Sequence, residues 1–530
     1  MERLFAGLDV STQSCKLVVI DLDAADVVHI DRVGYDDDLA HYGTKDGVIG
    51  DAAVGVSESD PGMWIEAVEI LLGRLATSEV PQERIRALAL SGQQHGLVAI
   101  DADGNLTRST SKLWNDVSTA EECELLTEAV GGLDAMIAEV GNSQRPGYTA
   151  SKIFHMLRHE PGAYARTHTL FVVKDYLNWV LTGGPRGGVR AMEPGDASGT
   201  ALWNPVTGAW SKRVIAAIDA DPRSLRSKLP PVGPSDRSIG RLSPALADVF
   251  GMSRECMIAP GSGDNMCAAI GTGNVREGLV TVSLGTSGTA CTFRRDPFVD
   301  PLGEIASYRD ATGGFLPLLC VSNLANGYNE LRRLHDLDHE QFAGIVSQTE
   351  PGNEGRLLIP WYGGERTPDV PLGAPTYFGF DLDGLTLAPL CRAVLEGHVL
   401  NLHAGFARMP IDAAAAEIRL TGGLSRSDAW CQTIADVFDA EVVPVSGEGA
   451  ALGAALAAAW VWLGETGAEV AIEELVDPFV HLDEAGRKRP APEHRETYRR
   501  LRHLFSAVSA RMRGLDAPDP FELRAAFRQG

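Results

Sequence analysis

Two stretches far apart in the chain follow the same pattern of an apolar strand, a polar turn and a second apolar strand. The first covers residues 4–21, and its turn reads DVSTQS over residues 9–14. The second covers residues 279–293, and its turn reads SLGTSG over residues 283–288. Because the pattern occurs once near the start of each half, it indicates an internal repeat and two related halves. Two unrelated turns are the alternative, since hairpin tips are polar in any fold.

A third stretch, residues 258–265 with the sequence IAPGSGDN, leads through small residues to one carboxylate, Asp264. Glycines let a chain turn tightly and let a ligand approach the backbone. The polar pair Asp264 and Asn265 precedes an apolar run, so we expect a strand, a tight turn and the start of a buried helix. Asp264 can take a proton from a bound hydroxyl, or it can simply cap the helix.

The chain has 530 residues, which is too long for one compact core and predicts two large domains. We place the boundary after residue 271, giving domains 1–271 and 272–530. The net charge of −24 disfavours nucleic acid and anionic membranes as partners. An anionic ligand therefore needs local backbone N–H groups, a few basic side chains or a divalent metal.

The eight cysteines are irregularly spaced and form no CxxC pair, which indicates free, mostly buried thiols in a reducing cytoplasm. The N-terminus has no apolar signal core. The apolar run 450–463 is too short to cross a bilayer and predicts a buried helix. Residues 387–408 have helical spacing, and we interpret His398 and His403 within them as structural. Residues 485–530 are expected to form an exposed helix with a tail.

Several polar clusters interrupt the predicted strands. Residues 91–96 read SGQQHG, residues 114–116 read WND, and residues 421–427 read TGGLSRS after a strand. A strand followed by a Gly-Gly turn and a helix is a common position for a nucleotide, and equally a common turn without a ligand. His95 is either a ligand contact or a hydrogen-bonded structural residue. Trp114 is either a platform for a sugar or a core residue, and Asp116 or Ser118 is a candidate helix cap.

These segments, in this order, resemble the FGGY family of carbohydrate kinases over nearly the whole chain, to about residue 462. The matching segments are residues 9–16, 92–96, 114–116, 146–149 with Lys152, 174–177, 196–200, 261–265, 283–288, 364–368, 392–397 and 422–423.

The resemblance implies an α/β fold of two ribonuclease H-like domains, of the actin/hexokinase type, with an inter-domain cleft. It implies ATP and Mg²⁺ as cofactors and a small open-chain sugar as substrate. D-xylulose is the expected substrate, converted to D-xylulose 5-phosphate. Another pentulose or polyol (ribulose, erythritol or a glycerol-like compound) is the alternative, and a non-catalytic ATP-driven clamp is a further one.

The resemblance also assigns roles to single residues. Asp264 is expected to be the catalytic base, and Asp9 and Asp264 are the expected metal ligands. The expected substrate contacts are Gln94, His95, Asn265, Trp114 and Asp116. The expected nucleotide contacts are Thr12, Gln13, Lys16, Gly285, Thr286, Ser287, Gly422, Gly423 and Arg426. The expected partners are the sugar and ATP, with a homodimer as the candidate assembly.

The chain departs from the family pattern at three places. Ser11 stands where the family has glycine, and Gln13 stands where it has a small hydroxyl residue. In the family the WND motif is usually followed by one residue and then arginine, whereas here Val117 and Ser118 occupy these two positions. Residues 93–95, in the cluster expected to contact the substrate, read Gln-Gln-His, where the family commonly has Gln-Met-His. The turn at residues 9–14, which the resemblance makes the first phosphate-binding loop, is nevertheless expected to bind phosphate, with the Gln13 amide as a donor.

Overall fold

A computed structural model describes residues 3–50, 53–382, 384–412, 416–447 and 449–529. The chain forms two compact units. Unit 1 contains Met1–Arg276, Phe293–Leu316 and Gly447–Val480, and unit 2 contains Glu277–Thr292, Pro317–Ser446 and His481–Gly530. Both units are therefore discontinuous in sequence. The expected division of function between residues 1–271 and 272–530 stays a prediction.

The strands, in chain order, are β1 Leu4–Val10, β2 Ser14–Asp21, β3 Asp26–Gly34, β4 Thr44–Lys45, β5 Val48–Ile49, β6 Glu58–Ser59, β7 Ile85–Gly92, β8 Val98–Ile100, β9 Ser111–Lys112, β10 Thr169–Phe171, β11 Trp203–Asn204, β12 Ala209–Trp210, β13 Gly240–Arg241, β14 Met257–Ile258, β15 Ser262–Gly263, β16 Leu279–Leu284, β17 Gly288–Thr292, β18 Ala306–Arg309, β19 Phe315–Val321, β20 Leu357–Ile359, β21 Thr376–Phe378, β22 Glu417–Thr421, β23 Val442–Ser446 and β24 His481–Leu482.

The α-helices are α1 Tyr35–Asp38, α2 Pro61–Ala76, α3 Ala120–Ala129, α4 Leu133–Val140, α5 Thr149–His159, α6 Pro161–Arg166, α7 Val173–Leu181, α8 Pro194–Gly199, α9 Lys212–Ile218, α10 Pro222–Lys228, α11 Pro244–Phe250, α12 Asp264–Gly271, α13 Asn326–Leu334, α14 His339–Val346, α15 Leu387–Phe406, α16 Asp428–Phe438, α17 Gly449–Glu465, α18 Ile472–Val476, α19 Arg495–Met512 and α20 Pro520–Gln529.

The main sheet of unit 1 has the strand order β3-β2-β1-β7-β14-β13, with β15 also pairing with β7. The hairpin β1–β2 and the next strand β3 are antiparallel, whereas β7 runs parallel to β1. Apolar side chains from β1 and β2 pack with those of α2 in one buried core. The parallel pairing brings the ends of β1 and β7 to the same edge, with Asp9 opposite Ser91.

The main sheet of unit 2 repeats this plan as β19-β17-β16-β22-β23-β24. Here too an antiparallel hairpin, β16–β17, is flanked by an antiparallel strand on one side and a parallel strand, β22, on the other. The internal repeat and the α/β fold class are thereby confirmed. Each hairpin turn lies at the edge where its parallel neighbour ends, which places both turns at ligand-binding positions of such sheets.

Helix α17 packs against the middle of unit 1 through glycines. A Cβ on Gly7 of β1 would lie 2.0 Å from the Ala451 carbonyl oxygen, and one on Gly453 would lie 1.8 Å from the Cys267 carbonyl oxygen. The helix backbone therefore touches the backbone of both β1 and α12, at a distance that only glycine permits. The predicted buried helix over residues 450–463 is confirmed.

The expectation of an exposed C-terminal helix is wrong for α19. Its residues Tyr498, Leu501, Phe505 and Val508 recur at helical spacing and are buried, and the Tyr498 hydroxyl donates a 2.9 Å hydrogen bond to Glu396. The abundance of charged residues obscured this apolar stripe, which packs α19 onto unit 2. A second helix, α20, follows where a tail was expected.

All eight cysteines are free, and each is buried except the half-buried Cys320. The helix predicted over residues 387–408 is observed as α15, in which the buried His398 places its Nδ1 2.6 Å from the Val394 carbonyl oxygen. Across the described residues, no helix combines the length and apolar character needed to cross a membrane. The cytoplasmic location and the homodimer stay predictions.

Candidate active site

The loop that carries Asp264 lies beside the end of β7. Within it, β15 pairs in parallel with β7, and Ser262 lies opposite Ser91. Gly261 has a φ of 63°, and a Cβ there would lie 1.8 Å from the Leu90 carbonyl oxygen. Only glycine fits this close approach, so the small residues of the loop are what brings Asp264 to the sheet edge.

Asp264 is the first residue of α12, and the helix N-cap is Gly263. The alternative that Asp264 acts as the cap is therefore wrong, because a cap residue precedes the first helical residue. Its Oδ1 instead accepts hydrogen bonds from the backbone N–H of Asn265 at 2.8 Å and from the Asn265 side-chain amide at 2.9 Å. The same amide donates to Gln94 Oε1 at 3.1 Å, which links Asp264 to the polar cluster after β7.

Burial raises the pKa of Asp264 to about 7, and the nearby charge of Asp9 adds to the rise. The two hydrogen bonds from Asn265 oppose it. A carboxyl group with a pKa near neutrality is suited to accept a proton from a substrate and to release it afterwards. The geometry and the electrostatics thus agree on Asp264 as a candidate base.

Asp9 lies at the end of β1, where its Oδ1 accepts a 2.7 Å hydrogen bond from the Ser91 hydroxyl. Burial raises the pKa of Asp9, while the Ser91 hydrogen bond and the charge of Lys16, its partner across the hairpin, lower it. Asp9 and Asp264 are close enough to repel each other electrostatically. Two such carboxylates form a hard oxygen donor set, which is the type that Mg²⁺ prefers.

His95 adopts a left-handed backbone conformation with φ of 69°, which is uncommon for a residue with a side chain. Its carbonyl oxygen accepts hydrogen bonds from Lys152 Nζ at 2.8 Å and from Thr149 Oγ1 at 3.2 Å. Its Nε2 lies 3.4 Å from the hydroxyl of Tyr308, and its ring packs edge-on against that of Tyr148. This strained position is held from several sides, as is typical of a functional residue.

Trp114 is half-buried, and its indole N–H donates a 2.9 Å hydrogen bond to Thr12 Oγ1 in the first hairpin turn. Asp116 is fully buried and accepts hydrogen bonds from the backbone N–H groups of Ser57 and Ser118 at 2.9 and 3.0 Å. It caps no helix, since α3 begins at Ala120. Asp116 stabilises the loop that carries Trp114, and its contact with a substrate stays a prediction.

A buried group of charged residues supports the Asp264 loop from behind. Lys174 Nζ donates to Asp175 at 2.5 Å and to the Pro260 carbonyl oxygen at 3.0 Å, and it lies 3.4 Å from Asp196. Glu193 accepts a 2.9 Å hydrogen bond from Ser262 Oγ. Burial raises the pKa of all three carboxyl groups.

Sequence reasoning gave this group no role. The segments 174–177 and 196–200 were both recognised as motifs, but a buried ion pair leaves no mark in sequence spacing. The structure shows that Lys174 and Glu193 fix the loop at Pro260 and Ser262, on the approach to Asp264. We regard them as positioning residues.

In unit 2, the turn Gly285, Thr286 and Ser287 follows β16, and the Gly422–Gly423 turn follows its parallel neighbour β22. Gly422 has a φ of 86°, and a Cβ there would lie 2.6 Å from the Leu284 carbonyl oxygen, whereas Gly423 faces open space. The structure thus brings the two expected nucleotide turns together. Arg426, four residues after Gly422, is exposed, and so is Gln13 of unit 1.

Glu365 organises the backbone around the first of these turns. Its carboxylate accepts hydrogen bonds from the backbone N–H of Ser322 at 2.5 Å and from the amides of Asn323 and Asn401 at 3.1 and 3.0 Å. The next two backbone N–H groups in the chain, those of residues 324 and 325, donate to the Thr286 carbonyl oxygen. Its segment, 364–368, was recognised as a motif, but nothing in the sequence indicated this task.

Known proteins resemble this chain over most of its length. The model of the FGGY family of carbohydrate kinases, N-terminal domain, matches residues 4–271, and that of the C-terminal domain matches residues 280–462. A xylulose kinase of Haemophilus influenzae is 33% identical over 495 residues, which cover 92% of this chain and 95% of that protein. One of Streptomyces coelicolor is 34% identical over 474 residues, covering 88% and 90%.

Among solved structures, the crystal structure of xylulose kinase from Bifidobacterium adolescentis is similar, with a TM-score of 0.78 and 26% sequence identity. The structural match covers 94% of this chain and 99% of the Bifidobacterium adolescentis chain. The similarity therefore extends over both units and is not limited to one motif.

Proposed function

Because this chain belongs to the FGGY family of carbohydrate kinases, we propose that it transfers the γ-phosphoryl group of ATP to a hydroxyl of D-xylulose. The products are D-xylulose 5-phosphate and ADP. The relatives that match most of the chain at 33–34% identity are xylulose kinases, which supports this choice of sugar.

The observation that carries the proposal is the half-buried carboxyl of Asp264, hydrogen-bonded to Asn265 and through it to Gln94. Asp264 takes the proton of the sugar hydroxyl while that oxygen forms its bond to the γ-phosphorus and the bond to the ADP oxygen breaks. A pKa of about 7 lets Asp264 be ionised before the step and protonated after it. In phosphoryl transfer the protein contributes mainly the positioning of the reactants and the stabilisation of charge.

Gln94, His95 and Asn265 are proposed to hold the sugar. Gln94 is buried and uses its Oε1 to accept from Asn265, while its Nε2 has no hydrogen-bond partner within the described part of the chain. A buried donor of this kind is costly unless a ligand satisfies it. The hydroxyl groups of a sugar provide such acceptors, and Trp114 supplies a neighbouring apolar surface.

Asp9 and Asp264 are the residues that would hold Mg²⁺. When bound, Mg²⁺ neutralises charge on the phosphate oxygens. In unit 2, the backbone N–H groups of the turns at Gly285–Ser287 and Gly422–Gly423 are proposed to bind ATP. The turns suit this role because glycine lets phosphate or ribose come close to the main chain.

A coupled assay of ADP formation with a panel of acceptors tests the proposal. The panel contains D-xylulose, ribulose, erythritol and glycerol, each with Mg²⁺ and ATP, and each reaction is repeated with Asp264→Asn. We expect the highest kcat/KM with D-xylulose, and a fall in kcat of about 10²–10⁴-fold in the variant, as for loss of a general base. ATP binding, measured separately by calorimetry without Mg²⁺, should be near normal, because Asp264 is not one of the proposed ATP contacts.

A higher kcat/KM with another acceptor would refute xylulose as the substrate while leaving the kinase class intact. ATP binding without turnover of any acceptor would contradict the kinase proposal itself. A variant that keeps more than about a tenth of the wild-type rate would show that Asp264 is not the base.

A further inference from the structure

Helices α3 and α5 of unit 1 bring together one glutamate and two histidines away from the candidate active site. Glu122 lies on α3, and His155 and His159 lie four residues apart on α5. His155 Nδ1 is 3.4 Å from Glu122 Oε2, and His159 Nε2 is 3.1 Å from Glu122 Oε1. One ligand atom from each of the three residues can be chosen so that all lie within 4.8 Å of one another.

Two histidines at positions i and i+4 of a helix share one face, and their rings can bind one metal ion together. The two rings here are 4.4 Å apart between centroids. Bond lengths of roughly 2.0–2.2 Å to nitrogen and oxygen place tetrahedral ligand atoms about 3.4 Å from one another. The three side chains therefore need only small rotations to surround a single ion.

The environment of each ligand suits a metal ion. His155 Nδ1 is shielded from solvent and makes no hydrogen bond within the described part of the chain, although a carboxylate oxygen faces it. The Glu122 side chain is 1% exposed and the His159 side chain is 49% exposed. The cluster thus has a buried anchor and one side open to solvent, from which an ion can enter and a water molecule can complete the coordination.

Arg158 is the charged neighbour of this cluster. It donates to Glu122 Oε1 at 2.5 Å and to the exposed Glu121 at 2.8 Å. It can keep the first of these contacts while Oε2 binds an ion, in the way that outer-shell partners orient a carboxylate ligand. Its positive charge lowers the affinity for a cation but does not occupy the ligand atoms Oε2, Nδ1 and Nε2.

We propose that Glu122, His155 and His159 bind one divalent transition-metal ion of the Zn²⁺ class. Imidazole nitrogen favours Zn²⁺, Co²⁺ or Ni²⁺ over Mg²⁺, whose preferred ligands are oxygens. The site is thereby separate in position and in chemistry from the Asp9 and Asp264 carboxylates. A bound ion links α3 to α5 and stabilises unit 1.

The test uses the full-length protein after removal of metals with a chelator. Zn²⁺ binding is followed by calorimetry and by thermal unfolding, and Co²⁺ binding by visible absorption. The variants are His155→Asn, His159→Asn and, as a matched control, His41→Asn. His41 is an exposed histidine 3.0 Å from the carboxylate of Glu66. It has the same kind of acidic neighbour but belongs to no three-residue metal-binding group among the described residues.

We expect one Zn²⁺ per chain, a higher Tm with Zn²⁺, and a Co²⁺ spectrum without thiolate charge-transfer bands. His155→Asn and His159→Asn should each weaken Zn²⁺ binding by more than about 100-fold, which is more than the loss of a residue that only contacts a metal ligand typically causes. His41→Asn should bind as the wild type does. Kinase activity with Mg²⁺ and ATP, equal in all four proteins, serves as the measure of folding.

Absence of Zn²⁺ binding at micromolar concentrations would overturn the proposal. Undiminished binding in both His155→Asn and His159→Asn would also overturn it, because the ion would then lie elsewhere. Thiolate bands in the Co²⁺ spectrum would assign the ion to cysteine and count against this site.

Discussion

The Asp264 carboxyl lies where burial and the charge of Asp9 both oppose its ionisation. The raised pKa that suits Asp264 to act as a base therefore lowers the free energy of unfolding. In the unfolded chain its pKa is near 3.8, and in the folded chain it is about 7. Between these values the folded state holds more protons than the unfolded state, so the free energy of unfolding decreases as the pH rises.

Asp264→Asn should remove this penalty, because asparagine keeps an oxygen to accept the two hydrogen bonds of Asn265 and has no charge to bury. Below about pH 4 the variant and the wild type should be equally stable. The difference should grow through pH 7 and reach on the order of 1 kcal/mol in favour of the variant, a value reduced by the partial exposure of the site. Urea unfolding of the metal-free protein at pH 4 to 8 measures it.

The matched control is Asp248→Asn, at an exposed carboxylate paired with Arg254. This change should not raise stability at any pH. An Asp264→Asn variant that is less stable than the wild type at pH 8 would show that the carboxylate is stabilised by the fold, contrary to the inference from burial.

Among single residues of the candidate site, the sequence identified those that are neighbours in the chain. Asp264 and Asn265 follow a run of small residues, and Gln94 and His95 follow a strand, so the local pattern was sufficient to single them out. Tyr308 and Glu193 were not predicted, because each meets the site from a distant segment. A single aromatic or acidic residue in a distant stretch has no periodicity that would reveal its partner.

Helices α12 and α17 meet along glycines, and α12 carries Asp264 at its first position. Gly453→Ala would place a methyl group 1.8 Å from the Cys267 carbonyl oxygen, so the helices must separate. We expect a loss of about 1–3 kcal/mol in the free energy of unfolding and a lower kcat, since Asp264 moves with its helix. Chemical denaturation and steady-state kinetics measure both effects.

Gly464→Ala, on the same helix, is the control. A Cβ there meets nothing within 4 Å, and alanine favours the helix by about 0.5–1 kcal/mol. This variant should be at least as stable as the wild type, with an unchanged kcat. If the two variants behave alike, the helix contact does not position Asp264.

The Gly285–Ser287 turn is held by a backbone segment that Glu365 anchors. Glu365→Gln replaces a carboxylate that accepts several N–H groups with an amide that offers only one acceptor oxygen. A loss of about 1–3 kcal/mol is typical when such buried donors lose their acceptor. If the turn binds ATP, KM for ATP should rise several-fold while KM for the sugar changes little.

Steady-state kinetics with each substrate varied in turn tests this prediction. Glu340→Gln, at an exposed position on α14, is the control and should change neither constant. Equal increases in both KM values would indicate a general loss of structure and contradict a specific role of Glu365.

The elements with a strong local pattern were predicted best. The two hairpins, the apolar helix α17 and the long helix α15 carry their periodicity in the sequence. The amphipathic α19 was predicted as exposed because its five arginines and one glutamate are interspersed with the apolar residues that face the core. The pairing of β1 with β7 could not be derived, since parallel partners are distant in sequence and similar in composition.

Unit 1 is completed by Gly447–Val480, which follows most of unit 2 in the chain. This segment contains α17, whose backbone touches β1 and α12. A chain that ends at residue 480 should therefore keep the unit 1 sheet protected from hydrogen exchange. A chain that ends at residue 446 should lose protection in β1 and β7, because the apolar surface under α17 would be exposed.

Hydrogen exchange followed by mass spectrometry of the two truncated chains compares them directly. Both lack the same C-terminal residues of unit 2, so the comparison isolates the segment with α17. Equal protection of β1 in both chains would show that unit 1 folds without this segment.

The late position of α17 also has a consequence for biosynthesis. The ribosome has made β1, β7 and α12 by residue 276, but the helix that covers them ends at Glu465, 465 − 276 = 189 residues later. At typical elongation rates this interval lasts roughly 10–40 s. During that time the nascent chain presents an uncovered apolar sheet face, which is the kind of surface that chaperones bind. The position of one alanine-rich helix in the chain therefore determines how long unit 1 needs chaperones at the ribosome.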